Sequence, residues 1–460
     1  MMLARPYCAV VVLLLLAGVS RTGEGNSNPG FMARITKKGL EYVQQYVVTT
    51  LKEQLSTIRL PDLSGHSKID LIGWVSYDFH SLKIHRFVLQ NWNLNLLPEL
   101  GIGVFLSNSY MSVGGDWKVN KAFITLDGSF ELKANGISIS LSLNLDKDQS
   151  GRPTASVTEC SNSIGHISIH LSGSLSWILN LFHEIIENNI KMVLEEKVCD
   201  MVTEFTTSYL ELYLRTLPVT TMIDEVASLD YRLVGAPQVT SEGLDIPFKG
   251  EFFSQSHPSH VPFEAPSMML PPQHDRMIYL AVSQYMLNTA IWVYHHAGCM
   301  KVVIQNEDLA RLYPNMEVEL EVSLESEPLL TLTPGNVTLS PVIDIRGLAL
   351  LPSSSDQRTL FQLRVNTNVS IAIGVNSNRI VGSVTIGSEL KFEVKQSNLG
   401  NINKKLMESI FSYYTIKTIY SSLNAKLQEG FPLPLPRETS LNSVELQIHK
   451  NLLFVGAYFD

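Results

Sequence analysis

Residues 137–145 read Ile-Ser-Ile-Ser-Leu-Ser-Leu-Asn-Leu, five apolar side chains separated by four polar ones. Side chains alternate across a strand, so this two-residue period puts all five on one face and predicts a half-buried β-strand. The pattern recurs at Ile167-Ser168-Ile169-His170-Leu171. Upstream, Leu40, Val43, Val47, Leu51, Leu55 and Ile58 recur at spacings of three and four until Pro61, which predicts an amphipathic helix. Downstream, Phe182, Ile186, Ile190, Val193, Val198, Val202 and Phe205 predict a second long helix, broken at Pro218. Helix, strands and helix together make one unit, residues 28–252.

The same grammar returns after a break. Residues 253–275 contain Pro258, Pro262, Pro266, Pro271 and Pro272 with little periodicity and read as an extended proline-rich linker. Residues 276–460 then offer a helical segment around Met277 to His295 and alternation at Met316, Val318, Leu320, Val322 and Leu324. Further alternation runs from Val365 to Val375, before a helix carrying Ile402, Leu406, Ile410, Leu423 and Leu427 that Gly430-Phe431-Pro432 stops. The expected fold class is α+β, two tandem units of twisted antiparallel sheet wrapped around a long amphipathic helix. Such a unit can enclose an elongated apolar cavity.

The chain has 460 residues, is 45% hydrophobic and only 17% charged, and carries a formal net charge of -9. Typical globular chains are about 25% charged, so little polar surface is available here. An acidic balance excludes nucleic acid as the default partner, because phosphate-backbone binding requires clustered Lys and Arg. At the amino terminus, Arg5 precedes the apolar run Ala9 to Val19 and a small, polar stretch to Ser27. This reads as a signal peptide within residues 1–27, too short to span a bilayer, and predicts a secreted, extracellular protein with peripheral membrane contact only. Cys8 leaves with the signal, so Cys160, Cys199 and Cys299 meet an oxidising compartment. Cys160 precedes a strand pattern and Cys199 sits late in a helical one. A bridge between them would clip strand to helix and add about 3–4 kcal/mol. Cys299 is left over, as a free thiol or the site of a dimer. Sequons at Asn336-Val337-Thr338 and Asn368-Val369-Ser370 predict two glycosylated surface positions.

Catalytic signatures fail one by one. There is no G-x-S-x-G elbow. His183-Glu184-Ile185-Ile186-Glu187 approaches the zinc helix H-E-x-x-H, but the second imidazole is replaced by Glu187, which leaves a solvated helix face as the reading. His295, His296 and Cys299 are too few at a helix end to assign a metal, and Gly101-Ile102-Gly103 lacks the third glycine of a dinucleotide loop. No enzyme activity, metal or cofactor is expected. A lipid ligand fits the apolar surplus: each buried methylene contributes about 0.8 kcal/mol, a basic side chain at an anionic head group about 1 kcal/mol, so acyl chains dominate affinity.

Particular stretches carry a resemblance. Asn28-Pro29-Gly30, Ala33-Arg34-Ile35-Thr36, Leu60-Pro61-Asp62, Thr216-Leu217-Pro218-Val219-Thr220, Lys249-Gly250-Glu251-Phe252, Leu312-Tyr313-Pro314-Asn315-Met316 and Glu429-Gly430-Phe431-Pro432-Leu433-Pro434 are the clearest. Over essentially its mature length the chain resembles the bactericidal/permeability-increasing and lipopolysaccharide-binding protein family, nearest its lipopolysaccharide-binding branch. The resemblance implies two barrels in a boomerang, a central sheet, a phospholipid in each apolar pocket, and a Cys160–Cys199 bridge. It further implies an innate-immunity protein that binds the lipid A part of lipopolysaccharide and delivers it to a cell-surface receptor. The alternatives are a bactericidal protein, a phospholipid or neutral-lipid transfer protein and, remotely, a lipid hydrolase.

Three departures stand out. In the family, lipopolysaccharide recognition is assigned to a cationic tip. The matching stretch, Gly115-Asp116-Trp117-Lys118-Val119-Asn120-Lys121-Ala122-Phe123-Ile124-Thr125, keeps only Lys118 and Lys121 as head-group candidates. Residues 28–250 hold 18 Lys+Arg and 24 Asp+Glu, and 18 minus 24 is -6, opposite in sign to the basic first half on which the bactericidal branch relies. A segment that the family uses is missing near residues 305–311, so the second barrel is expected to be shortened there. Cys299, close by, has no partner in the family pattern.

Overall fold

A computed structural model describes residues 28–42, 44, 60, 62–69, 73–121, 123–173, 183–254, 261–305, 317–350, 357–376, 378–386, 390–398, 400, 404–414, 420–433 and 440–459. The signal segment, most of the first predicted helix and the expected gap at 305–311 (beyond Gln305) lie outside them. Residues 37–42 are helical, where that first helix begins.

The alternating run 137–145 lies inside a single strand, Ile124–Lys147, hairpinned with Gly101–Lys121. Both strands exceed 20 residues, so each outer edge is covered by two shorter strands placed end to end. Gly73–Val88 and Asn91–Leu97 pair with the first arm, and Pro153–Ser163 and His166–Gly173 pair with the second. Leu63–Ile69 completes the sheet beyond Gly73–Val88. Every pairing is antiparallel.

The edge made by Pro153–Ser163 and His166–Gly173 is covered by the predicted second helix, His183–Phe205. Unpaired edge amides need acceptors. Glu195 Oε1 accepts from Ile164 N–H at 2.8 Å and Glu187 Oε1 accepts from Ile169 N–H at 2.8 Å. Glu187 therefore does not sit on a solvated face: it acts as a surrogate strand. Cys160 and Cys199 are joined, with their Cα atoms 5.8 Å apart, which closes the same seam covalently.

Strands from the two halves meet side by side, three from each, in a six-stranded central sheet. Its order is Gln238–Val239, Gly243–Phe248, Phe31–Thr36, Ile278–Ser283, Leu452–Phe459, Leu441–His449. Phe31 pairs with Val282 and Ile35 with Ile278, so the halves are joined by a ladder of backbone hydrogen bonds. Here the sequence reading needs correction: Ile278–Ser283 is a buried strand, and the helix is only Gln284–His296. A strand buried on both faces has no two-residue alternation to reveal it. Ser283 marks the switch, accepting from Met286 N–H at 3.1 Å as helix N-cap.

The linker is not a free spacer. Its described part packs Met268 and Leu270 against Tyr279 and Phe454 of the central sheet. Arg34 donates to Pro271 O at 3.0 Å while its Nε and Nη2 donate to Asp245 at 2.6 and 2.8 Å.

The second half is built from two five-stranded sheets. The expected stretch Val365–Val375 is split between them: Gln357–Asn366 lies in one, Val369–Asn376 in the other, with the crossing at Thr367-Asn368. The final helical stripe is likewise two helices, Lys404–Tyr414 and Ser421–Glu429. Met407 and Phe411 of the first are buried against the sheet, whereas Leu423 of the second is 39% exposed. Asn424 repeats the edge-covering device, accepting from Val384 N–H at 2.7 Å. Gly430, at φ 66°, ends the helix where a side chain would strike Ile380 O.

Candidate lipid-binding tip and apolar cavity

The long hairpin of the first half ends at Lys121–Ile124. Its anchor is Trp117, 1% exposed, whose indole N–H is shared between Ser129 O at 3.1 Å and Ser172 O at 3.0 Å. Met111, Val113 and Trp117 point inward, so the alternate positions Asp116, Lys118 and Asn120 line the outer face.

This register decides how much charge the candidate lysines present. Lys118 stands directly opposite Asp78 on one neighbouring strand and Asp127 on the other, with Asp116 two residues along the same face. Residues directly opposite have Cβ atoms about 4.5–5.5 Å apart, so three acidic side chains share the face with one lysine. Lys121, opposite Ile124, is the less encumbered: its Nζ lies 3.8 Å from where a side chain on Gly73 would begin.

In the sequence this tip is marked by charge, and the structure adds a second signal. Phe123 is fully exposed, Ile124 is 62% exposed and Trp74, second residue of the adjacent strand and next to Gly73, is 68% exposed. Turn positions favour Gly, Asn, Asp, Ser and Pro. An exposed Phe-Ile there was the legible clue. Trp74 was not legible, because strand pairing alone brings it to the hairpin end. Burying such a side chain contributes about 1.5–3 kcal/mol, against about 1 kcal/mol for a lysine at an anionic surface. The apolar trio therefore outweighs the two lysines.

Behind the tip, Leu60, Leu63, Phe79, Phe130, Ile190 and Leu194 contribute to an entirely apolar cavity between sheet and helix. Its empty volume, counted with the solvent at its mouth, is about 250 Å³. Only about 10 Å³ of it is open to the centre of a water-sized sphere, room for about one water, so the cavity as it stands holds no acyl chain. Farther along the same face, Ile139, Leu141 and Leu143 stay half-buried between the buried Ile137 and Leu145.

The remaining candidates are scattered. Asn336 and Asn368 are both exposed, at hairpin or crossover ends, and their sequon partners Thr338 and Ser370 are paired across adjacent strands. Asn368 Oδ1 accepts from Ser340 Oγ at 2.9 Å. Cys299 is an exposed free thiol. Gly101 and Gly103 lie in a strand, where a side chain on Gly101 would collide with Leu143 O: close sheet packing, not a cofactor loop, explains them. Among the described residues no helix is long and apolar enough to cross a membrane.

Comparison with known proteins agrees with this architecture. The N-terminal domain model of the LBP / BPI / CETP family matches residues 39–213, and the C-terminal domain model matches in two stretches, 221–309 and 307–460. Lipopolysaccharide-binding protein of Bos taurus is 43% identical over 455 residues, covering 95% of this chain and 94% of that protein. The Homo sapiens protein of the same name is 42% identical, covering 99% and 98%. Bactericidal permeability-increasing protein of Rattus norvegicus is 32% identical, covering 97% and 96%. A crystal structure of lipopolysaccharide binding protein superposes with a TM-score of 0.61 at 38% identity, covering 94% of this chain and 99% of that one. With family models and full-length relatives in agreement along both halves, this chain belongs to the LBP / BPI / CETP family.

Proposed function

We propose that the protein is a secreted carrier that binds the lipid A part of lipopolysaccharide at the hairpin tip and hands it to a cell-surface receptor. The observation that carries this reading is the exposed trio Trp74, Phe123 and Ile124 beside Lys118 and Lys121. Apolar side chains enter the acyl layer while lysines stay at phosphate level, the usual arrangement at a lipid interface. The relatives' names point to the same ligand. Function by binding, not catalysis, agrees with a site made of apolar side chains and lysines. The test is binding of the recombinant protein to lipopolysaccharide micelles at physiological salt. Saturable binding that Phe123→Ala weakens by about tenfold or more is expected; absence of saturable binding refutes the reading.

A phospholipid is the second cargo, favoured by the wholly apolar cavity beneath the sheet. It requires the helix His183–Phe205 and the sheet to part well beyond the present one-water space, within the limit set by the Cys160–Cys199 bridge. Mass spectrometry of lipid co-purifying with the protein checks this, and a lipid-free protein contradicts it. The C-terminal domain model matches in two stretches that overlap at 307–309, which supports a second barrel shortened near that point. Glycans on Asn336 and Asn368 agree with export, and peptide mapping of secreted protein reads their occupancy directly.

A further inference from the structure

We propose that His295, His296 and Glu327 form a binding site for a first-row divalent metal ion, zinc being the best match. The two histidines end the helix Gln284–His296, and Glu327 lies in the connection between strands Glu317–Leu324 and Leu329–Thr333, which belong to different sheets. Glu327 Oε1 is 3.9 Å from His295 Nδ1 and 3.5 Å from His296 Nε2, and the three ligand atoms lie within 4.8 Å of one another. Zinc bonds of about 2.0–2.2 Å place tetrahedral ligand atoms roughly 3.3–3.6 Å apart, so modest side-chain rotation closes the set around an ion.

Four further observations point to a cation. His296 Nδ1 lies 3.0 Å from Trp292 O, so its N–H donates to that carbonyl and the Nε2 lone pair faces Glu327. A metal-ligating histidine is typically held in this way by its other nitrogen. Trp292 also stacks on the ring with centroids 4.1 Å apart, fixing its plane. Secondly, His295 Nδ1 is shielded from solvent and has no hydrogen-bond partner. Thirdly, the neighbouring acids are already matched: Glu325 by Arg364 and Lys395, Glu321 by Lys301. Among the described residues, Glu327 has only the two imidazoles as ion-pair partners. Fourthly, the site stands at a helix C-terminus, where the helix dipole favours positive charge. Two imidazoles and one carboxylate suit zinc better than calcium or magnesium, which prefer oxygen ligands. Cys299 is not part of the cluster: its Sγ lies 3.9 Å from Ala297 O. A bound ion would pin the crossover between the two sheets to the helix beside the central sheet.

The test uses full-length secreted protein stripped with chelator and titrated with zinc alone by calorimetry. One zinc per chain is expected, with unchanged affinity in Cys299→Ser. His296→Ala and Glu327→Gln should each bind at least tenfold more weakly, as expected for loss of a ligand. Cobalt in place of zinc should give the intense visible absorption of a four-coordinate site, and zinc should raise the unfolding midpoint of the parent but not of Glu327→Gln. Circular dichroism establishes that the variants are folded. The proposal is overturned by absence of stoichiometric binding, by binding in either ligand variant as tight as in the parent, or by loss of binding in Cys299→Ser. It is equally overturned if Glu327→Gln lowers stability while zinc does nothing, the signature of a plain imidazolium–carboxylate pair.

Discussion

Arg34 shows how a single charged residue can be written into the sequence without its role being readable there. It lies in the stretch Ala33-Arg34-Ile35-Thr36, but its partner Asp245 is 211 positions away and its third acceptor, Pro271 O, lies in the linker. Removing one partner of a buried pair strands the other charge and costs about 3–5 kcal/mol. Arg34→Ala should therefore lower stability by about that much in urea titration and hasten proteolytic cleavage within 253–275. Asp224 gives a pH-dependent case. Burial alone would raise its pKa, but hydrogen bonds from Tyr294 and from the Ala227 and Val226 amides hold it below the usual carboxylate value. A depressed folded-state pKa contributes stability that is present above the ordinary value of about 3.9 and is lost as pH falls through the folded one. Thermal melts from pH 5 to pH 2 should show Asp224→Asn losing less stability on acidification than the parent.

At the scale of elements, the helix His183–Phe205 serves as cover for a strand edge. Its amphipathic stripe is legible in the sequence, but its polar face reads there as solvated, because nothing in a local pattern says that an edge amide waits for a carboxylate. A hydrogen bond to a charged group contributes about 1.5–3 kcal/mol, and a donor left unmet costs a comparable amount. Glu195→Ala should destabilise by about that much and increase hydrogen exchange at Ile164, measured by mass spectrometry. Loss of the bridge in Cys160→Ser with Cys199→Ser should cost about 3–4 kcal/mol in the same titration. The tip hairpin teaches a parallel lesson. Its lysines were legible as residues, yet their value depended on register, which places Asp78 and Asp127 opposite Lys118.

For the whole molecule, the acidic balance makes a prediction of opposite sign from that for a basic relative. A protein of net charge -9 approaching an anionic lipid surface meets long-range repulsion, which salt screens. Stopped-flow association with anionic vesicles should accelerate, not slow, between about 0.02 and 0.2 M salt, where the screening length shrinks from roughly 20 to 7 Å. Strongly slowed association would mean that the lysines, not the apolar trio, govern the encounter. By itself the sequence determined the α+β class, the strand at 137–145, the helix beyond 183 and the helix stop at Gly430, because these rest on period and local backbone chemistry. Tertiary structure alone decided that Ile278–Ser283 is a strand joining the halves, that Asp78 and Asp127 stand opposite Lys118, and that Trp74 is exposed at the same hairpin end as Phe123 and Ile124. Those outcomes depend on pairings between residues far apart in the chain, where a fully buried strand shows no alternation and a shift of one residue in register reverses which side chains share a face.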